Sequence, residues 1–457
     1  MKEGNAPLAL MTDDIGKLLV QYALPAVIAM TAASLYNITD SIFIGHGAGP
    51  LALSGLAVTF PVMNLAAAVG SLVGVGGASL LSLRLGQKDY ESANRILGNV
   101  LVLNIIGGIL FSLPAFVFLE PMLRFFGAGD AVFPYARDFI RIILAGNVIT
   151  HMYLGLNALL RSLGRPRKAM NATIMTIIIN IVLNPLFIFG FGWGIKGSAC
   201  ATVIAQASVL VWQLRLFADK ENFIHFKKGI YGLKSEIVKG IVSIGSATFL
   251  INAASCAAVI ITNKQLSAYG NELAVGAFGI VTRVSFLFVM VVFGITQGMQ
   301  PIAGYNYGAA LYERVSEVFK KSAVLAVAVM TAGFIAVELF PQTVSSVFTA
   351  DKELVSLASG GLRYTFIFFP LIGFQVVTTA FFQSIGKSAK TIMLTLTRQV
   401  LFLIPLLFVF PLYMGTDGIW LSFPVSDLAA SAFAAFLLFF QFRRFKKYDL
   451  KQEILKS

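Results

Sequence analysis

Charge is scarce in this 457-residue sequence: Asp, Glu, Lys and Arg together supply 12% of it, against about 25% in a soluble globular domain. That is too little to cover a water-facing surface of this size, which excludes a soluble multidomain protein. Cysteine is nearly absent. Cys200 and Cys256 both lie in apolar runs, where a thiol serves as a small hydrophobe, so neither a disulfide framework nor a cysteine metal site is expected. The three histidines, His46, His151 and His225, have no ligand spacing; His151 stands out only for lying within a helix. There is no Walker motif, HExxH or nucleophile elbow, and no polar stretch to house a catalytic domain, so an enzyme is not expected. The opening MKEGNAPLALMTDDIGK does not read as a signal peptide, because acids precede the apolar run and no small-residue cleavage site follows it.

What the sequence does have is apolar length. Hydrophobic residues make up 57% of it, in runs of about 20 that suffice to cross a bilayer core. Twelve spans are predicted: 16–42, 51–79, 93–118, 132–158, 167–190, 195–218, 237–266, 275–300, 316–340, 355–382, 390–412 and 417–441. The net charge of +13 does not point to nucleic acid, because the basic residues sit between the runs, where they set topology and meet anionic headgroups. The even-numbered connections carry eighteen Lys and Arg, among them Arg84, Lys88, Arg161, Lys227, Lys228 and Lys387. The odd-numbered ones carry Arg124, Lys196 and Lys352, or six if Arg137, Arg141 and Arg363 at helix starts are added. This asymmetry puts both termini, including the tail FRRFKKYDLKQEILKS, in the cytoplasm of a protein spanning the cell's inner membrane.

The sequence aligns with itself at an offset of 222. Gly76, Gly86, Tyr90 and Glu91 match Gly298, Gly308, Tyr312 and Glu313; Ala158, Ser162, Gly164 and Lys168 match Ala380, Ser384, Gly386 and Lys390. After the fifth helix the offset is 221, pairing Gly194 and Gly197 with Gly415 and Gly418. The expected organisation is an N-terminal six-helix bundle (1–218), a linker (219–236), a C-terminal six-helix bundle (237–441) and a basic tail (442–457). Six helices return the chain to the side it entered from, so the bundles should be related by a pseudo-twofold axis along the membrane normal, a parallel repeat. The fold class is all-α, and rocking of the bundles about a central cavity follows as an expectation.

Four loop segments, SLRLGQKDYESANRILGN (82–99), NALLRSLGRPRKAMNAT (157–173), QGMQPIAGYNYGAALYERV (297–315) and TTAFFQSIGKSAKTI (378–392), carry more than topology, as do NITDSIFIGH (37–46) and NIVLNPLFIFG (180–190). Together they resemble the MATE (multidrug and toxic compound extrusion) family, the third segment its MepA-like branch in particular. The resemblance covers essentially the whole chain. It implies two six-helix bundles, a central cavity, and antiport of cationic amphipathic compounds against H⁺ or Na⁺, with no organic cofactor and a monomer sufficing. The loop glycines Gly86, Gly164, Gly308 and Gly386 are read as structural, ending helices through positive φ or close backbone approach.

Ionisable and polar residues inside a bilayer are costly and mark function. Asp40 is the one acid of the first helix beyond its entry at Asp13 and Asp14, which read as caps. Asn180 and Asn184, four apart, share a face, and Pro185 leaves the Ile181 carbonyl without its helical donor. Thr202 lies roughly 10 Å into the next helix, and Asn180 roughly 20 Å into its own from the opposite side. Carboxylate, amide, hydroxyl and carbonyl oxygens are the hard ligands that a small cation takes. The resemblance assigns Asp40, Asn180 and Thr202 to the family's N-terminal polar site; Asn184 departs, standing where many relatives have aspartate. Either Na⁺ is held by Asp40, Asn180, Asn184 and Thr202 with one carboxylate, or Asp40 alone carries a proton. The repeat equivalents are Thr262, Phe402, Leu406 and Phe423, so coupling is expected in the first half only.

Tyr36, one turn before Asp40, could stack on a cationic substrate; Asn37 and Gln206 are further cavity candidates. In the second half Arg398 and Asp427 both fall near mid-membrane and are expected to pair. Arg283 and Arg398 keep open an alternative, a lipid-linked precursor flippase of the same superfamily, whose cavity would be cationic; Lys264 is also intramembrane.

Overall fold

In a bilayer core each backbone N–H and C=O must be paired within the protein, and a helix does this by itself. A computed structural model describes residues 6–270 and 272–456, and every regular element among them is helical. The elements are α1 (Ala6–Thr12), α2 (Ile15–Ala48), α3 (Pro50–Gly86), α4 (Tyr90–Val117), α5 (Leu119–Phe125), α6 (Phe133–Ala145), α7 (Asn147–Ser162), α8 (Pro166–Pro185) and α9 (Ile195–Ala218). There follow α10 (Ser235–Tyr269), α11 (Glu272–Gly308), α12 (Tyr312–Leu339), α13 (Pro341–Ser346), α14 (Lys352–Phe366), α15 (Phe369–Ser384), α16 (Ser388–Leu396) and α17 (Ile404–Lys456).

Among the described residues, nine helices are long and apolar enough to span a membrane, and two bent pairs bring the number to eleven. The pairs are α6 with α7, bent by 55° at Gly146, and α14 with α15, bent by 54°. Each is the fourth span of its half. The final apolar stretch counts once, but Gly415 (φ 57°, ψ −134°) breaks its helical path, separating the spans expected at 390–412 and 417–441. The fold is thus that of twelve membrane-spanning segments. Most run past the apolar limits, because a helix does not end where the hydrocarbon does. Two contain π-helical turns: 186–190, directly after Pro185, and 397–403, beginning one residue before Arg398.

Packing divides the chain into two units. One holds Ile28–Phe249 with the described residues up to Asp13; the other holds Asp14–Val27 and the chain from Leu250 onward. Each unit therefore includes the opening turns of the other half's first long helix. Small residues make this possible. A Cβ on Gly76 would lie 2.1 Å from the Ile241 carbonyl oxygen, and one on Gly245 1.8 Å from that of Leu72. In the second unit a Cβ on Gly298 or Gly294 would lie 2.5 Å from the Cα of Ala23 or Val27. The same two helices meet in each unit at the repeat offset, α3 on the start of α10 and α11 on the start of α2.

The loop glycines divide. Gly164 (φ 79°) and Gly386 (φ 71°) take the left-handed conformation that ends a helix. Gly86 and Gly308 do not: the left-handed residues of their loops are Lys88 (φ 61°) and Ala310 (φ 59°), two positions later. There the helix runs through its glycine, and the next residues close it with Asp89 N–H on Arg84 O and Leu311 N–H on Asn306 O, each at 2.9 Å. The segment between the halves is tied to α4 through Asn99. Its Nδ2 donates to the carbonyls of Ile230 (3.2 Å) and Gly232 (3.1 Å), and its Oδ1 accepts from Lys234 N–H (3.2 Å). Residues 442–456 continue α17, with buried Phe445 stacked on Tyr312 at 5.1 Å.

Candidate functional site

Asp40, Asn180, Asn184 and Thr202 converge in the first unit. α8 presents its two asparagines on one face, both buried. Asn184 Nδ2 donates to Asp40 Oδ1 and, at 3.1 Å, to Asn180 Oδ1; Asn180 Nδ2 in turn donates to the Thr202 hydroxyl at 3.0 Å. Asp40 also accepts from Ser198 Oγ at 2.8 Å. Ser198 is fully buried one turn before Thr202 on α9, and Thr202 Oγ1 donates back to its carbonyl at 3.1 Å. Ser198 was missed in the sequence because, within IKGSACATV, it reads as a small packing residue; its i, i+4 spacing to Thr202 was the available signal.

The hydrogen-bond inventory shows what the cluster can take. Asn184 spends both amide hydrogens inside it, and its buried Oδ1 has no partner among the described residues. A buried acceptor left unpaired is costly. Together with the Asp40 carboxylate and the Asn180 and Thr202 oxygens, it makes an acceptor-rich, donor-poor centre. Such a centre suits a proton on Asp40 or a small hard cation among the oxygens. Among the described residues no three His, Cys, Asp or Glu side chains gather at one point, and the carboxylate in the hydrogen bonds of this cluster is that of Asp40.

Of the cavity candidates, Tyr36 lies beside the Thr202 hydroxyl and the Asp40 carboxylate. Gln206, one turn beyond Thr202, accepts from Thr150 Oγ1 at 2.5 Å and so links α9 to α7. Asn37 is exposed. In the second unit Arg398 Nε donates to Asp427 Oδ1 at 2.7 Å, and Asp427 is 1% exposed. The pairing joins the π-helical turn to α17, while Arg283 and Lys264 are exposed. The repeat equivalents of the Asp40 cluster are plainly different: Thr262 is buried and spends its hydroxyl on Ala258 O at 2.8 Å, and Phe423 packs on Phe278.

Two helical bundles of membrane-spanning segments, with a buried, acceptor-rich polar centre in one of them, define a polytopic membrane transporter. The MatE family model matches residues 25–186 and again 247–409, two matches that begin 222 residues apart; the chain belongs to the MatE family. The multidrug export protein MepA of Staphylococcus haemolyticus is 24% identical over 428 residues, 93% of each chain. An outward-facing multidrug resistance MATE family transporter of the MOP superfamily superposes with a TM-score of 0.90 at 25% identity, over 96% of this chain and 98% of that one. A MOP superfamily transporter from Pyrococcus furiosus, whose binding pocket of reverse polarity is described as suggesting a different function, gives 0.88 at 25% identity over 98% of both.

Proposed function

We propose that this protein is a secondary antiporter of the cell's plasma membrane. It exports cationic amphipathic compounds in exchange for H⁺ or Na⁺ by alternating access, acts as a monomer and has both termini in the cytoplasm. The observation that carries the coupling is the Asp40 centre of the first unit: one carboxylate, a buried amide oxygen with no partner among the described residues, and a ring of oxygens. A centre occupied by an ion in one state and empty in another gives the differential binding that coupled transport requires. The named relatives are multidrug exporters, which supports the substrate class. The coupling ion needs no organic cofactor.

The lipid-precursor flippase reading rests on the basic residues of the second unit. Asp427 offsets the charge of Arg398, which weakens a cationic-cavity argument. Sealed proteoliposomes separate the readings. Export of a fluorescent cationic dye under an imposed Na⁺ or pH gradient supports the antiporter. Immobility of the dye under both gradients, with movement of a fluorescent lipid-linked pyrophosphate, would replace it.

A further inference from the structure

His151 is fully buried in the first unit, five residues past the bend at Gly146. Its Nε2 lies 2.8 Å from the Ala66 carbonyl of α3. A carbonyl only accepts, so Nε2 carries hydrogen and the neutral ring presents Nδ1 as a bare lone pair. That nitrogen has no partner among the described residues, and the carbonyl facing it is that of Asn104 on α4. Two acceptors thus oppose each other. The Asn104 side chain repeats the pattern: Nδ2 donates to Val100 O at 2.8 Å, and Oδ1 is buried and unpaired. What this place lacks is hydrogen.

The berth is built for these two side chains. A Cβ on Gly70 would lie 2.8 Å from the imidazole, one on Gly155 2.3 Å from Asn104 Nδ2, and Gly107 faces Nδ1. At the repeat offset every member changes size in the compensating direction. His151 and Asn104 become Gly373 and Ala326, which pack on each other, with a Gly373 Cβ 2.8 Å from the Ala326 carbonyl oxygen; Gly70, Gly107 and Gly155 become Val292, Val329 and Val377. The second half fills the volume with valines where the first makes room for imidazole and amide. The berth also adjoins the Asp40 centre. Thr150, next to His151, donates to Gln206, one turn along α9 from Thr202. Among the described residues no charged side chain faces the ring. Arg84 of α3, Glu91 and Arg95 of α4 and Arg161 of α7 stand near helix ends; so do Arg167 and Lys168 of α8 and Lys196 and Arg215 of α9. Arg137, Asp138 and Arg141 of α6 lie beyond the bend, and the remaining titratable neighbours are Tyr153 and Cys200.

We propose that His151 is a second proton-binding position of the first unit. It takes H⁺ at Nδ1, and the new Nδ1–H donates a hydrogen bond to the Asn104 backbone carbonyl, so that protonation joins α7, just past its bend, to α4. The proposal rests on ion-coupled export for its purpose but not for its test. The protein carrying His46→Gln and His225→Gln retains one histidine, and its ¹⁵N imidazole signals are followed by NMR from pH 8 to pH 5. The expected result is conversion of a ring protonated at Nε2 alone into imidazolium, with a midpoint inside roughly this window. Asn104→Asp, which places a carboxylate in the berth, should move that midpoint up by about one pH unit or more. A ring that keeps a bare Nδ1 throughout, in both proteins, overturns the proposal and identifies His151 as a packing residue. Export is read separately in wild type under pH and Na⁺ gradients: if neither drives dye, the antiporter reading falls while the NMR result still decides His151. If a pH gradient drives dye, His151→Gln should flatten the pH dependence of the rate, and an unchanged profile would also overturn the proposal.

Discussion

Replacing Asp427 with leucine should harm the second unit more than replacing Arg398 with methionine, and making both changes should restore most of the loss. Arg398 Nε and Asp427 Oδ1 are 2.7 Å apart, with the carboxylate 1% exposed and the arginine side chain 26% exposed. Removing one member of a buried pair strands the other, at a cost of about 3–5 kcal/mol. The two members differ in their escape: a stranded carboxyl can bind a proton and become neutral, whereas guanidinium stays charged. Asp427→Leu should therefore take about the full cost, of order 10 °C in Tm for a unit of this size, and Arg398→Met roughly half. The double variant exchanges the pair for apolar contacts of similar volume and should unfold within a few degrees of wild type. Thermal unfolding of the purified protein in detergent, with all four forms measured together, closes the cycle. Losses that simply add in the double variant would show that the two charges do not act as a pair.

Three further outcomes follow from other parts of the molecule. Gly76→Ala places a Cβ 2.1 Å from the Ile241 carbonyl oxygen and should cost at least about 1–3 kcal/mol. Gly279→Ala, with nothing within 4 Å of its Cβ, should be neutral or slightly stabilising, and equal Tm losses would refute the close contact. Asp14 accepts from Lys17 N–H at 2.9 Å, a bond that holds its carboxyl below the ordinary 3.8. Its contribution is present above that value and lost as pH falls below it. Asp14→Ala should lower Tm at pH 7 and by less at pH 3, and an equal loss at both would contradict the cap. Asn184→Asp removes the donor to Asp40 and adds a second carboxylate, so dye export should shift toward Na⁺ dependence; an unchanged Na⁺ response would place Asn184 outside the ion's reach.

Helices, their order and the repeat were legible because burial in a bilayer writes apolar length directly into sequence. The breaks were not. Residues 132–158 read as one continuous span, yet it bends at Gly146, where a Cβ would lie 2.5 Å from Val203; that requirement comes from a partner helix and leaves no local mark. Pro185 signalled irregularity but not that the chain would widen into a π-helical turn. Among polar residues, those foreign to an apolar helix were visible: Asp40, Asn180, Asn184 and Thr202 meet in one cluster, and Arg398 pairs with Asp427. Ser198 was not visible, because a serine in an alanine-rich helix is as often packing as chemistry. His151 was visible as a residue but silent as a site, since its meaning lies in an opposing carbonyl and three glycines on other helices.

The central claim is that ion and substrate compete through the Asp40 centre, and the most direct test is ion release on substrate binding. Purified protein in weakly buffered detergent solution receives a cationic dye while pH and free Na⁺ are recorded. Wild type should release H⁺ or Na⁺ as dye binds, and Asp40→Asn should bind dye without releasing either. Equal release from wild type and Asp40→Asn would place the coupling ion elsewhere in the protein.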